Sequence, residues 1–169
     1  LLFITRIENG TMQLNLQPEM IEDIFREAIH HLGRNKRKHN ISMHLEDDLL
    51  MANMDARLII QVLVNLINNA IKYTPENSNI SLNARRVEDK ILIEVQDDGN
   101  GVLHPDQLFE MFYTENNRGG DTRRGMGLGL SLCKSIIQSH GGTIWVENVK
   151  PHGACFKFLL EAVEVKLYE

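Results

Sequence analysis

Residues 55–73 combine an apolar stripe at helical spacing with an opposite face rich in asparagine, and this segment limits the fold more than any other. The stripe predicts a helix that packs on a core through one side; its members are Leu58, Ile59, Val62, Leu63, Leu66 and Ala70. At about 100° per residue, the polar set falls within roughly a quarter of the circumference; it comprises Gln61, Asn65, Asn68, Asn69 and Lys72. Asparagine is a mediocre helix former, because its amide competes for backbone groups. The pattern therefore favours a binding face, with a merely solvated face as the alternative.

Carboxamide oxygens suit Mg²⁺, a hard cation that takes few protein ligands and otherwise keeps waters and phosphate oxygens. We expect Asn69 to be the direct ligand, and Asn65, one turn earlier, to hold a water or a phosphate oxygen. Lys72 can reach a phosphate as a point charge, and Tyr73 can stack on a base. Pro75 ends the helix.

A strand pattern over residues 90–95 runs into the sequence DDGNG, residues 97–101. An aspartate at the end of a strand can accept a hydrogen bond from the exocyclic amine of adenine. The glycines allow a sharp turn or a close approach of the backbone to a flat ligand. An ordinary turn is the alternative, because aspartate, asparagine and glycine dominate turns for conformational reasons. The candidate contacts are Asp97, Gly99, Gly101 and Val102.

The sequence GMGLGL, residues 125–130, opens a second predicted helix. Residues 114–124 before it carry charges, asparagines and glycines, which predict a mobile loop. Glycines at a helix start expose backbone N–H groups, and these suit a phosphate together with the helix dipole. The spacing is neither the GxGxxG of a dinucleotide fold nor that of a P-loop. The candidates are Arg123, Arg124, Gly125, Gly127, Leu128, Gly129 and Leu130, with Arg118 a weaker one and solvated loop charges as the alternative for the arginines.

In this order, the segments resemble the catalytic, ATP-binding domain of sensor histidine kinases, within the GHKL superfamily that includes gyrase-type and Hsp90-type ATPases. The resemblance covers essentially the whole chain. NLINNAIKYTP is similar to the N box, DDGNG and GMGLGL to the two glycine boxes, LFEMFY to the F box, and SHGGTIWVEN to the corner that follows. FEMFYTENN, RRGMGLGLSLCKSI and HGACFKF resemble the KdpD-type potassium-responsive kinases in particular.

The resemblance implies a Bergerat fold, an α/β two-layer sandwich in which about three helices cover one face of a mixed β-sheet, with a mobile ATP lid. Residues 1–10 would end a helix of the dimerisation domain, and residues 11–169 would form the catalytic domain. The implied cofactors are ATP and Mg²⁺, with Asn69 on the metal. The implied catalytic residues are Asn65, Lys72, Arg123 and Arg124.

The resemblance also implies a role in a longer protein. The γ-phosphoryl group would pass to a histidine of the upstream dimerisation domain, homodimeric in the full-length protein, and then to a response-regulator aspartate, in potassium or osmotic signalling. The chain would be the cytoplasmic part of a bacterial inner-membrane sensor. It begins with leucine, so we expect a longer parent. None of its histidines is followed by an acidic residue and then proline as in the family's acceptor motif, so we expect the acceptor upstream.

Asn65 bears on the reaction type. The ATP-hydrolysing branches of the superfamily place a glutamate there, as the base that activates water. A neutral imidazole is already a nucleophile, so such a carboxylate would only promote hydrolysis. Asn65 therefore favours a kinase, with an ATP-hydrolysing ATPase or a non-catalytic ATP sensor as alternatives. The family usually has threonine or serine after Gly153, where this chain has Ala154, so we expect Asp97 to recognise the base more fully alone.

Size and composition fit one domain with a single core, since the chain has 169 residues. The net charge is −5, and the basic run RNKRKH, residues 34–39, follows a predicted helix, where cations are favoured. This disfavours nucleic-acid binding. Cys133 and Cys155 form no metal pattern and are expected to be buried in a reducing compartment. No apolar run approaches the ~18–20 residues of a membrane span. The aromatic residues Phe109, Phe112 and Tyr113 are expected to pack and position the lid.

Periodicity also predicts the other elements. The expected helices cover residues 1–9, 19–32, 55–73 and a segment starting at 127. The expected strands cover residues 11–16, 41–45, 50–53, 78–87, 90–95, 143–147 and 154–160.

Overall fold

The computed structural model describes residues 13–111, 113 and 129–164, without the side chains of residues 35–37. Its helices are α1 (Ile21–Leu32), α2 (Ala56–Lys72) and α3 (Gly129–Ser139), with 3₁₀ turns at Gly33–Lys38 and Pro105–Gln107. Its strands are β1 (Gln17–Met20), β2 (Asn40–Leu45), β3 (Met51–Met54), β4 (Asn79–Val87), β5 (Lys90–Asp97), β6 (Ile144–Asn148) and β7 (Ala154–Glu161).

Five strands form one mixed sheet in the order β2-β4-β5-β7-β6, and β1 pairs with β3 in a separate antiparallel ribbon. Strands β2 and β4 are parallel, whereas the other neighbours in the large sheet are antiparallel. On β5 the apolar residues Ile91, Ile93 and Val95 recur at every second position and are buried, with Glu94 and Gln96 half-buried between and after them and Leu92 also buried. One face of the sheet is therefore apolar, as period-two alternation requires.

The three helices α1, α2 and α3 cover that apolar face. Within the described residues, α2 lies between the others, because it contacts both α1 and α3. Its buried stripe is Leu58, Ile59, Val62, Leu63, Leu66, Ile67 and Ala70. Fully burying one such leucine or isoleucine contributes about 1.5–3 kcal/mol. This confirms the predicted two-layer α/β sandwich.

A polar cluster around the buried Asp55 fixes the start of α2. The backbone N–H of Asp55 donates to Nε2 of His140 at 3.0 Å, and the Asp55 carboxylate accepts the N–H of Asn15 at 3.1 Å. Nδ1 of His140 donates to the carbonyl of Ile136 at 2.8 Å. Burial lowers the pKa of His140 below 6.5, against the raising effects of the Ile136 carbonyl and of Asp55. Neutral His140 thus joins α3 to α2.

Most predicted boundaries hold within two residues, but the expected strand at residues 11–16 is wrong for the described part. Residues 13–16 are not in a strand, and β1 begins at Gln17, opposite Met54. The N–H of Asn15 donates to the carboxylate of Asp55 instead of to the backbone of a neighbouring strand. The helix predicted from residue 19 begins at Ile21, because Glu19 pairs with Ala52. The helix expected at residues 1–9 lies outside the described residues.

Candidate functional site

Helix α2 presents the predicted polar face. Asn65, Asn69 and Lys72 are half-buried on it, while the opposite side of the helix is in the core. Gln61 and Asn68 lie on the same side and are also half-buried. The predicted orientation of this helix is therefore correct.

Asn69 has a buried side-chain atom that requires a partner. Its Nδ2 makes no hydrogen bond within the described residues. The nitrogen and oxygen of a side-chain amide exchange on a 180° flip, and a buried unsatisfied amide atom costs about 1–3 kcal/mol. A polar ligand with phosphate oxygens and a cation would satisfy both ends of this amide, so Asn69 fits the predicted Mg²⁺–phosphate subsite.

Cys133 of α3 lies beside Asn65 of α2. Cys133 is buried and directs its thiol at the carbonyl of Val62, 3.8 Å away. Burial raises the pKa of the Cys133 thiol to about 12, and a hydrogen bond with the Asn65 side chain acts in the opposite direction. Both cysteines are free and buried, as predicted. The contact with Asn65 was missed, because sequence spacing does not reveal which residues of two helices face each other.

The end of α2 carries the predicted base-stacking residue. Tyr73 follows Lys72 as the C-cap of α2, and its N–H donates to the carbonyl of Asn69 at 3.1 Å. Nζ of Lys72 lies 5.4 Å from the centroid of the Tyr73 ring. Both side chains are half-buried, so a cation and an aromatic ring are placed together at this end of the helix.

Asp97 ends β5 and is 2% exposed. Its Oδ1 accepts the N–H of Gly99 at 2.9 Å and the N–H of Ala154 at 3.2 Å. A Cβ at Gly99 would lie 2.7 Å from Cγ2 of Thr74 and 3.5 Å from the carbonyl oxygen of Tyr73. The turn after Asp97 therefore lies directly against the end of α2, and the predicted base-binding residues are neighbours.

Asn148 fixes the second half of this turn. Its amide oxygen accepts the N–H of Val102 at 2.7 Å, and its amide nitrogen donates to the Val102 carbonyl at 2.9 Å. Gly101 has φ +81°, and a Cβ there would lie 2.6 Å from the Asn148 oxygen. Glycine is therefore required at residue 101. Asn148 was not predicted as a site residue, since its role depends on a contact between distant segments.

The loop before β7 packs against Asp97 from the other side. Gly153 has φ +123°, and a Cβ there would collide with the backbone carbonyl of Asp97. Ala154, where the family usually has a hydroxyl side chain, is completely buried. It contributes to the Asp97 site through its backbone N–H.

Two of the three aromatic residues predicted to position the lid, Phe109 and Tyr113, pack on the core. Phe109 is buried and meets Phe156 edge to face, with ring centroids 6.0 Å apart. Phe112 lies outside the described residues.

The second glycine-rich segment is described only at its end. Gly129 is the first described residue of α3 and is exposed, and Leu130 is half-buried. The other candidates lie outside the described residues: Arg118, Arg123, Arg124, Gly125, Gly127 and Leu128. Their assigned contacts stay predictions.

Within the described part of the chain, no helix is both long and apolar enough to cross a membrane.

The chain is similar in sequence to a known protein family and to named sensor proteins. The model of the family described as histidine kinase-, DNA gyrase B-, and HSP90-like ATPase matches residues 54–164, which include α2, the Asp97 turn and α3. The sensor protein KdpD of Clostridium acetobutylicum is 34% identical over 160 residues, covering 94% of this chain and 18% of that protein. The alginate biosynthesis sensor protein KinB of Pseudomonas aeruginosa is 36% identical over 164 residues, covering 95% and 27%. The chain thus spans less than a third of either relative.

Solved structures agree with these matches. The nucleotide-free catalytic domain of histidine kinase ThkA superposes with a TM-score of 0.75 at 27% identity, covering 88% of this chain and 97% of that domain. ThkA in complex with the response regulator protein TrrA superposes with a TM-score of 0.76 at 25% identity, covering 96% of this chain and 47% of that one.

Proposed function

Because the chain belongs to the family of histidine kinase-, DNA gyrase B- and HSP90-like ATPases, we propose that it is the ATP-binding catalytic domain of a two-component sensor histidine kinase. The named relatives are sensor proteins of which this chain covers a part, so the activity proposed is that of a longer protein. The observation that carries the proposal is the contact between the end of α2 and the Gly99 turn. It brings the turn that holds the buried Asp97 carboxylate next to the C-terminal end of the helix that carries the asparagines.

Base recognition is assigned to the turn and the helix end. Asp97, held by two backbone N–H groups, would accept a hydrogen bond from the adenine amine, and Tyr73 would stack on the ring. The base would lie against the backbone of Gly99, Gly101 and Val102. A side chain at either glycine would collide with neighbouring residues.

Phosphate binding is assigned to α2 and to the segment before α3. Asn69 would ligate Mg²⁺, Asn65 would hold a water or a phosphate oxygen, and Lys72 would neutralise phosphate charge. Bound Mg²⁺ supplies charge neutralisation at the β- and γ-phosphates, which is the main requirement of phosphoryl transfer. The remaining contacts are assigned to Arg123, Arg124, Gly125, Gly127, Leu128, Gly129 and Leu130.

A kinase is favoured over an ATP-hydrolysing ATPase by residue 65. Asn65 carries an amide in place of a carboxylate and cannot act as a general base. The two ring nitrogens of His140 are occupied by the N–H of Asp55 and the carbonyl of Ile136. None of the seven histidines of the chain lies in the family's acceptor motif, so we assign the acceptor histidine to a dimerisation domain of the parent protein, which would be a homodimer.

The partners follow from this assignment. The phosphoryl group would pass from the dimerisation domain to an aspartate of a response regulator, the class of protein found with ThkA. The parent would be a membrane sensor with this domain in the bacterial cytoplasm.

One experiment separates the three possible activities. The chain is mixed with a separately produced dimerisation domain from the parent, Mg²⁺ and ATP labelled on the γ-phosphate. Label on the histidine supports the kinase, free phosphate supports the ATPase, and bound but unreacted ATP supports a non-catalytic sensor. A histidine-to-alanine variant of the dimerisation domain is the control for the site of labelling.

A narrower proposal is a role in potassium or osmotic signalling. It is supported by the similarity to KdpD, although KinB matches at comparable identity. Deleting the parent gene should abolish the transcriptional response to potassium limitation. A normal response would reject this role and leave the kinase assignment intact.

A further inference from the structure

His39 and Thr74 form a hydrogen-bonded pair behind the Asp97 turn. Nε2 of His39 lies 2.9 Å from the Thr74 hydroxyl, and that hydroxyl lies 2.7 Å from the carbonyl oxygen of Ala70. A carbonyl can only accept, so the hydroxyl hydrogen points at Ala70. The imidazole must therefore donate its Nε2–H to the hydroxyl oxygen. Nδ1 of His39 is buried and makes no hydrogen bond within the described residues.

These two hydrogen bonds select one side-chain rotamer of Thr74. Threonine has three staggered positions for its hydroxyl and methyl groups, and the bonds to His39 and Ala70 fix the hydroxyl. The methyl group then faces Gly99, where a Cβ would lie only 2.7 Å from it. Thr74 is almost completely buried, so Gly99 rests on a methyl group whose position the imidazole controls.

Gly99 transmits this position to the carboxylate. Its N–H donates to Oδ1 of Asp97 at 2.9 Å. A displacement of Gly99 therefore changes one of the two backbone hydrogen bonds that orient Asp97. The backbone next to His39 is also held in place, because the N–H of the adjacent Asn40 donates to the carbonyl of Ser78 at 2.9 Å.

We propose that His39 and Thr74 are positioning residues for base selection: through Gly99 they hold the Asp97 carboxylate in the orientation that accepts the adenine amine. This rests on the proposed ATP-binding function and extends it to His39, which lies outside the glycine-rich and asparagine-rich motifs, and to Thr74, a motif residue to which the sequence assigned no role. Neither residue touches the nucleotide in this scheme.

The test is the ratio of dissociation constants for GTP and ATP, measured by calorimetry with Mg²⁺. Thr74→Val keeps the shape of the side chain and removes both hydrogen bonds, and His39→Leu removes the donor. Each should weaken ATP binding by up to about tenfold, the effect of one hydrogen bond, with little change for GTP. His39→Gln retains an N–H donor and should restore most of the ratio. His44→Leu changes an exposed histidine of β2 and should leave both constants unchanged.

Equal weakening of both nucleotides in Thr74→Val and His39→Leu, or no change in either, would overturn the inference. If one variant does not fold, the other decides. The proposed function fails separately, when the unmodified chain binds no ATP. If Asp97→Asn changes the ratio while His39→Leu and Thr74→Val do not, adenine recognition stands and the positioning role is rejected.

Discussion

Replacing Asp97 by asparagine separates the structural role of this residue from its proposed role in base recognition. The amide oxygen of asparagine can accept the N–H groups of Gly99 and Ala154, as Oδ1 of the carboxylate does now. The turn should therefore stay folded. The other end of the side chain becomes an NH₂ group, which cannot accept a hydrogen bond from the adenine amine.

The size of the effect follows from these contacts. A hydrogen bond to a charged group contributes about 1.5–3 kcal/mol, so losing it should weaken ATP binding about 10- to 150-fold. Guanine carries an acceptor where adenine carries its amine, so GTP binding should hold or improve. Alanine is less informative at residue 97, because it leaves two buried N–H groups without an acceptor and costs about 2–6 kcal/mol of stability.

The measurement is calorimetry of ATP and GTP binding with Mg²⁺, together with the melting temperature of each variant. Asp98→Asn is the matched control, because Asp98 bonds to the backbone and side chain of Asn79 instead of the Gly99 turn. It should leave the preference for ATP unchanged. If Asp97→Asn folds normally and keeps the wild-type preference, Asp97 is only a turn residue and the proposed base recognition is wrong.

Three further results are expected. Asn69→Ala should abolish Mg²⁺-dependent ATP binding in calorimetry, while Asn83→Ala, on the outer face of the sheet, should not; unchanged affinity in Asn69→Ala would contradict the metal assignment. Burial lowers the pKa of His140 below 6.5, so as the pH falls the unfolded chain is protonated at His140 before the folded chain is. The stabilisation by neutral His140 is therefore complete above about pH 6.5 and is lost as the pH falls below it. Urea unfolding at pH 7.5 and 5.5 should show a smaller drop for His140→Gln than for wild type, and equal drops would refute this. Gly153→Ala combines φ +123° with a backbone collision and should destabilise by about 3 kcal/mol or more, against about 1–2 kcal/mol for Gly141→Ala, which has φ +74° in open space; similar unfolding midpoints would reject the role of the collision.

The sequence predicted those parts of the fold that depend on local periodicity. The apolar stripe of α2 and the apolar residue at every second position of β5 are repeated often enough to define which side faces the core. The two-residue link after Val87 was also predicted, and Glu88 has φ +58° there. Boundaries were less accurate where pairing decides them: β1 begins at Gln17 because its partner is β3.

The parts that could not be predicted are contacts between distant segments. Asn148 binds the backbone of Val102 from 46 residues away, and His39 reaches Thr74 across 35. Each is a polar residue whose local sequence is compatible with a surface position. Periodicity identifies the face on which a residue lies but not its partner, so these supporting residues became visible only in the folded chain.

Ala154 shows how the folded backbone changes the meaning of a sequence departure. From sequence, the missing hydroxyl predicts that Asp97 recognises the base more fully alone. In the structure, the backbone N–H of Ala154 still orients the carboxylate, and Gly153 lies against the Asp97 backbone with no room for a Cβ. A backbone donor is present whatever side chain follows Gly153. The substitution therefore affects a direct or water-mediated contact with the base, while the orientation of Asp97 is preserved by the turn itself.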